Sequence, residues 1–154
     1  MFSQTTEYAL RAMALLAYHP SELVPTPELA EKTQVPANYL AKVLQQLAQA
    51  DLITGRRGVG GGYKLAKPAE SIKLVDVIRT VGTIERITTC PLGLENHGSN
   101  LCALHRCMDS AAKAILDVVE GVTLADLVAD SNGTRPLCDP SMTAALSISI
   151  SKKS

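Results

Sequence analysis

A glycine-rich segment, GRRGVGGG at residues 55–62, is the feature that most restricts the fold of this 154-residue chain. It separates two short runs typical of β-strands, residues 52–54 and 63–65. Glycine tolerates the backbone angles of tight turns, so the pattern predicts a β-hairpin. The alternative, a phosphate-binding nucleotide loop, needs a helix after the glycines and a G-K-[ST] ending. Here a strand-like run follows and breaks at Pro68, which favours the hairpin.

Three helices are predicted before the hairpin: the first over residues 5–18, the second over residues 26–32 and the third from Pro36. In the second helix, Thr26 is a good N-cap and Pro27 suits the first helical position. The third helix has apolar residues at helical spacing, namely Leu40, Val43, Leu44 and Leu47. Two short helices joined by a tight turn and followed by a hairpin form a winged helix–turn–helix, which is a DNA-binding module.

The second helix of such a pair enters the major groove, and its N-terminal residues meet the base edges. We therefore predict that Asn38 pairs with adenine and that Tyr39 and Lys42 contact phosphates. In the hairpin, the arginines and glycines are expected to approach the duplex, with an arginine in the minor groove. The complete predicted DNA-binding set is Thr26, Pro36, Ala37, Asn38, Tyr39, Lys42, Arg56, Arg57, Gly58, Gly60 and Gly61.

The charge distribution supports a local rather than a global attraction to nucleic acid. The formal net charge is zero, yet residues 52–69 carry four basic side chains and no acidic one. Such a local positive patch is enough for phosphate contact. No apolar run reaches the length of about 18 residues that a membrane helix needs, and the N-terminus lacks a signal-peptide pattern. We expect a cytoplasmic protein with no membrane partner.

Cys90, Cys102 and Cys107 follow in a C-x11-C-x4-C pattern. In a cytosolic chain, cysteines are more often metal-binding or redox-active than structural disulfides. Thiolates suit iron because soft sulfur ligands tolerate its redox changes. Idle buried thiols, a zinc site and a reversible disulfide from Cys90 to Cys102 or Cys107 remain alternatives, although the C-x2–4-C pair typical of zinc is missing. Cys138, near the C-terminus, is interpreted as a bystander.

Beyond the hairpin, the sequence predicts a helix over residues 71–81 and an irregular segment over residues 83–106. A longer helix is predicted over residues 107–120, with a broad apolar stripe that forms either core or a dimer contact. Thr123–Asp126 reads as a capping box that starts a last short helix. The tail from Ser131 is rich in serine, threonine and proline and is expected to be mobile.

The stretch PELAEKTQVPANYLAKVLQQLAQADLITGRRGVGGGYKLA resembles the core of the IscR/NsrR (Rrf-type) family of bacterial winged-helix, iron–sulfur transcription regulators. Family members share the forms VPxxYLxKVLQxL and RGxGGGYxLA, and the resemblance runs from TTEYALRAM to about Asp130. It implies a mainly α fold with a small β-hairpin, and a homodimer on a palindromic operator. It also implies that the helix carrying Met108 to Val119 crosses the same helix of the partner subunit.

The resemblance further implies an iron–sulfur cluster on Cys90, Cys102 and Cys107, with 4Fe–4S favoured and 2Fe–2S as the alternative. For the fourth ligand, the resemblance places Glu7 first, reaching the cluster of the partner subunit. His105 is the second candidate and His97 a distant third.

Taken together, these features predict a dimeric DNA-binding repressor that senses nitric oxide, redox state or iron–sulfur status. One alternative is a metal-free regulator that senses oxidants through a disulfide; another is a redox or metal-handling protein that does not bind DNA. No enzyme motif is present, so no enzymatic activity is expected. The predicted domains are a winged helix–turn–helix at residues 1–82, a cluster loop and dimerisation helix at residues 83–130, and a flexible tail at residues 131–154.

Overall fold

Six α-helices and one β-hairpin make up the part of the chain that the computed structural model describes, which is residues 2–93, 100–129 and 136–137. The mainly α fold with a small hairpin is therefore confirmed. His97, Cys138 and most of the predicted tail lie outside the described residues. No described helix is both long and apolar enough to cross a membrane. The elements are α1 (Gln4–Tyr18), α2 (Thr26–Thr33), α3 (Ala37–Gln49), β1 (Ile53–Arg56), β2 (Gly62–Leu65), a 3-10 turn (Ala69–Ser71), α4 (Leu74–Val81), α5 (Ala103–Glu120) and α6 (Leu124–Ala129).

Helix α1 forms the centre of the main core. Its inward residues Ala9, Ala12, Met13 and Leu16 are fully buried, and the helix contacts α2, α3, α4, α6 and β2. Burying a side chain of the size of Met13 or Leu16 stabilises the fold by about 1.5–3 kcal/mol. Helix α1 thus joins the helix–turn–helix on one side to α4 and α6 on the other.

Helix α2 starts one residue earlier than the sequence predicts, so the prediction that Thr26 is the N-cap is wrong. Thr26 is its first helical residue, and the N-cap position is held by Pro25, which makes no side-chain capping bond. The reason is a tertiary one, since Val24 is extended and exchanges two backbone hydrogen bonds with Tyr63, at 2.8 and 2.9 Å. Pro25 continues this extended backbone and takes the N-cap position, and the helix begins directly after it, at Thr26.

Strands β1 and β2 pair antiparallel, with Arg56 opposite Gly62 at the end of the ladder. The glycine-rich segment therefore closes a hairpin, and a strand rather than a nucleotide-binding helix follows it. Gly62 lies where this hairpin meets Val24: its φ is +157°, and an added Cβ would lie 2.4 Å from the carbonyl oxygen of Val24.

We expect Gly62→Ala to lower the free energy of unfolding by about 3 kcal/mol, because the new methyl group would collide with backbone that cannot move without breaking the pairing to Tyr63. The matched control is Gly58→Ala, at a position with φ +91° and no atom within 4 Å of an added Cβ. There we expect only backbone strain, about 1 kcal/mol. Chemical denaturation measures both variants, and equal losses would contradict the collision.

The second half of the chain departs from the predicted helix over residues 71–81. Helix α4 begins only at Leu74, because Lys73 forms a bridge with Thr123 and the Leu74 N–H donates to the carbonyl of Val122 at 3.0 Å. The capping box of α6 is confirmed: the Thr123 N–H donates to Asp126 Oδ2 at 2.8 Å, and the Asp126 N–H donates to Thr123 Oγ1 at 3.2 Å. The hydrogen bonds from Thr123 hold the pKa of the Asp126 carboxyl below its ordinary value.

Helix α5 begins at Ala103, a full turn before the predicted start at Cys107. Cys102 is at the N-cap position, and its carbonyl accepts the N–H of Arg106 at 2.9 Å. The irregular segment predicted over residues 83–106 therefore ends four residues earlier, and His105 lies on the helix with Cys107. On the inner face of α5, Leu116 and Val119 pack against Val75 and Ile78 of α4.

Candidate functional site

Helix α3 separates a buried face from an exposed one, as the sequence predicts. Its four periodic apolar residues are buried, whereas Asn38, Tyr39 and Lys42 are exposed. Pro36 is the N-cap residue and makes no side-chain capping bond; its carbonyl accepts the N–H groups of Tyr39 and Leu40, both at 2.9 Å. The start of α3 therefore presents polar side chains and helix N-terminal amides, which are suited to an anionic ligand.

Contacts with α1 fix the first turn of α3. The Tyr39 hydroxyl lies 2.7 Å from Thr5 Oγ1, and the Tyr39 ring meets Tyr8 edge-on, with 5.5 Å between ring centroids. The Arg11 guanidinium lies 5.7 Å from the Tyr8 ring centroid, and it donates to the carbonyl of Thr33 at 3.1 Å. The sequence shows Tyr8 and Arg11 on adjacent turns of one helix but does not reveal their partners. These contacts link α1, α2 and α3 around Tyr39.

A groove of about 530 Å³ lies between the start of α2 and the hairpin. Arg56 and Arg57 are exposed on its hairpin side, and Arg56 Nη2 donates to the carbonyl of Gly60 at 3.0 Å. Thr26 is half-buried on the opposite side. None of the described residues that line the groove is acidic. The structure thus brings together five of the predicted residues around one positively charged groove: Thr26, Arg56, Arg57, Gly58 and Gly61.

The cysteines are placed at the start of α5 and on the segment before it. Cys102 Sγ lies 3.3 Å from His105 Nδ1, while Cys107 is exposed. Cys90 and Cys102 are half-buried. Across residues 2–93 and 100–129, no three His, Cys, Asp or Glu side chains gather as a metal site. The structure therefore does not bring the three cysteines together, and residues 94–99 between Cys90 and Cys102 lie outside its description.

Glu7 lies on α1, with its side chain more than half exposed. Its Oε1 is 2.5 Å from Arg11 Nη2, an ion pair between successive helical turns. Glu7 does not join the cysteines within the described chain. The implied placement of Glu7 requires a second subunit, so the single chain does not test it.

An ion pair that the sequence analysis missed connects the segment before Cys90 to α5. Arg86 Nε and Nη2 donate to the two carboxylate oxygens of Asp109 at 2.5 and 2.6 Å, and the Ile87 N–H donates to Oδ1 at 2.9 Å. We call this arrangement the Arg86–Asp109 clasp. The hydrogen bonds from Arg86 hold the pKa of the Asp109 carboxyl below its ordinary value. The residues are 23 positions apart, so no local pattern predicts their contact.

Comparison with known proteins agrees with this geometry. The family model of Rrf2, described as an iron-dependent transcriptional regulator, matches residues 2–130. The HTH-type transcriptional regulator NsrR of Bacillus licheniformis is 33% identical over 135 residues, which cover 86% of this chain and 94% of that protein. Relatives of this kind regulate transcription and are not enzymes.

Two solved structures share the fold across most of their length. T. potens IscR superposes with a TM-score of 0.71 at 25% identity, covering 93% of this chain and 96% of that one. Staphylococcus aureus CymR in its oxidized form superposes with a TM-score of 0.69 at 28% identity, covering 86% of this chain and 98% of that one. The resemblance drawn from the sequence is confirmed. The chain belongs to the Rrf2 family of DNA-binding transcriptional regulators.

Proposed function

We propose that this regulator is a homodimeric repressor that binds a palindromic operator and senses its signal through an iron–sulfur cluster on Cys90, Cys102 and Cys107. The observation that carries the proposal is the position of Cys102 and Cys107 at the start of α5, the helix whose outer apolar face is exposed among the residues that the structure describes. Family membership argues against the alternative in which the chain handles metals or electrons without binding DNA.

Two polar surfaces support the proposed DNA contacts. The exposed side chains of Asn38 and Lys42 suit base edges and phosphates of the major groove, with α3 as the recognition helix. The groove between the start of α2 and the hairpin suits the sugar–phosphate backbone, because it carries two arginines and the uncapped start of a helix. The hydroxyl and the ring of Tyr39 both contact α1. We therefore propose that Tyr39 positions α3 as well as contacting a phosphate.

The outer face of α5 supports the proposed dimer. Leu104, Met108 and Val118 are 65%, 51% and 65% exposed, which is unusual for large apolar side chains. With Ala111 and Ile115 between them, they are spaced alternately four and three residues apart. This spacing is the repeat of helices that pack along a shared seam. We call these five residues the α5 seam, and propose that it packs against the same seam of a second copy.

The donor set fits an iron–sulfur cluster, since three thiols and a carboxylate or an imidazole are ligands that iron accepts. When bound, the cluster supplies a centre that reacts with nitric oxide or oxidants and changes its charge. On α5, Cys107 lies about 60° around the helix from Leu104 of the seam. A ligand from the partner could therefore approach Cys107, which supports the partner subunit's Glu7. His105, already 3.3 Å from Cys102, is the alternative ligand within the same subunit.

We further propose that the cluster controls the spacing of the two recognition helices. The same helix carries Cys102, Cys107 and the seam, so a change in the cysteine ligands acts directly on the dimer contact. Half-sites lie about one helical turn apart, and a small change in spacing therefore weakens specific binding. Equal operator affinity of cluster-loaded and cluster-free protein would contradict this coupling.

The test is the visible spectrum, with iron and sulfide assays, of protein purified without oxygen. We expect brown protein with broad absorption near roughly 400 nm and about four irons and four sulfides per chain. Cys102→Ser should abolish the colour, whereas the matched control Cys138→Ser should retain it. About two irons and two sulfides would favour the smaller cluster, and colourless protein after reconstitution would contradict the proposal.

A metal-free thiol regulator is the second candidate, because a relative with the same fold, S. aureus CymR, has an oxidized form. The cysteines here would then respond by forming a disulfide. Thiol trapping before and after mild peroxide distinguishes the two, since a metal-free switch loses two accessible thiols per disulfide and an unchanged count excludes it.

A further inference from the structure

We propose that the Arg86–Asp109 clasp positions Cys90 toward Cys102 at the start of α5. This inference rests on the proposed cysteine centre and adds two positioning residues to it. The clasp is bidentate, and both oxygens of Asp109 are used by three hydrogen bonds. Paired, charge-assisted bonds of this kind fix orientation as well as distance. The Asp109 side chain is only 14% exposed, so water competes poorly for these bonds.

The clasp is close to the cysteines on both chain segments that it joins. Ile87, whose N–H is bonded to Asp109, is three residues before Cys90, so their Cα atoms are at most about 11 Å apart. Asp109 is seven residues after Cys102, which places the two within about 20° of each other around α5 and about 10 Å apart along it. The face of α5 that bears Asp109 is therefore the face that bears Cys102.

Residues 83–90 form neither helix nor strand, and Ile84 packs farther along α5, in the cluster with Leu116 and Val119. Loss of the clasp would therefore release the part of this segment that is nearest to the start of α5. Cys90 would then sample a larger volume, and its effective concentration toward the other cysteines would fall.

The first experiment measures cross-linking of Cys90 to Cys102 in the full-length, metal-free, reduced protein, using a short bis-maleimide in a Cys138→Ser background. We expect Arg86→Ala and Asp109→Asn to slow this cross-link by at least about fivefold, because the two cysteines lose their shared tether. Arg86→Lys, which keeps the charge without the planar fork, should recover part of the rate. Circular dichroism establishes that each variant is folded.

The matched control is Arg79→Ala, which removes another exposed ion pair to α5, Arg79 with Glu120 at 3.1 Å, far along the helix from the cysteines. Unchanged cross-linking in the clasp variants, or equal slowing in this control, would overturn the inference. Iron content after anaerobic reconstitution is the second readout, and we expect the clasp variants to hold less iron than wild type. If wild type itself holds no iron, the cluster proposal fails while the cross-linking rates still decide the clasp.

Discussion

Met108→Glu combined with Val118→Glu is expected to convert the proposed homodimer into a monomer and to lower operator affinity by at least about 10³-fold. Both side chains lie on the α5 seam, and each dimer would then bury four carboxylates in an apolar contact. An unpaired buried charge costs several kcal/mol, which exceeds what the rest of a seam of this length can offset. The affinity falls because a monomer engages one half-site instead of two.

Light scattering gives the mass, and fluorescence anisotropy gives the affinity for a duplex selected in vitro with the wild-type protein. The matched control is Lys113→Glu, which alters charge on the same helix at an exposed residue paired with Asp117 at 2.5 Å, roughly opposite the seam. It should remain dimeric. A dimeric double-glutamate variant that still binds the operator would show that the subunits meet through a different surface.

The sequence predicts those parts of the fold that depend on local periodicity and turn chemistry. The buried face of α3 follows from the spacing of Leu40 and Leu44, and the α6 start follows from Thr123 and Asp126. The wrong boundaries have tertiary causes. Helix α2 starts where the pairing of Val24 with the hairpin ends, and α4 is shortened by backbone bonds to residues far along the chain. Such pairings leave no local pattern in the sequence.

The same distinction applies to the candidate site. The hairpin arginines and the polar face of α3 are evident from the sequence because they occupy fixed places in a recognisable motif. The contacts of Tyr39 with Thr5 and Tyr8, and the Arg86–Asp109 clasp, join residues more than 20 positions apart. The predicted helix over residues 107–120 omits the first turn of α5 because its apolar stripe starts at Met108, although Leu104 extends the same stripe by one turn. The tertiary contacts therefore determine how the predicted side chains are presented.

Replacement of both hairpin arginines, Arg56→Ala with Arg57→Ala, is expected to lower operator affinity by at least about 10²-fold. Each arginine contributes a charge-assisted hydrogen bond worth about 1.5–3 kcal/mol. The loss of both bonds therefore lowers the affinity by more than about 100-fold. Because each arginine neutralises phosphate charge, the slope of log affinity against log salt should also become shallower by about two for each subunit. Affinity for unrelated duplexes should fall with it, since phosphate contacts carry no sequence information.

The measurement is anisotropy on the selected operator and on a scrambled duplex over a series of salt concentrations. Lys67→Ala is the matched control: it removes an exposed positive charge beyond the end of β2, and Lys67 does not line the groove between α2 and the hairpin. Its salt slope should match that of wild type. Loss of operator affinity with an unchanged salt slope would assign the arginines to base contact or to hairpin stability instead. Thermal unfolding identifies an effect on hairpin stability. Arg56 also holds the turn through its hydrogen bond to the carbonyl of Gly60, so its loss can lower the unfolding temperature. Arg57→Ala alone should leave the unfolding temperature unchanged.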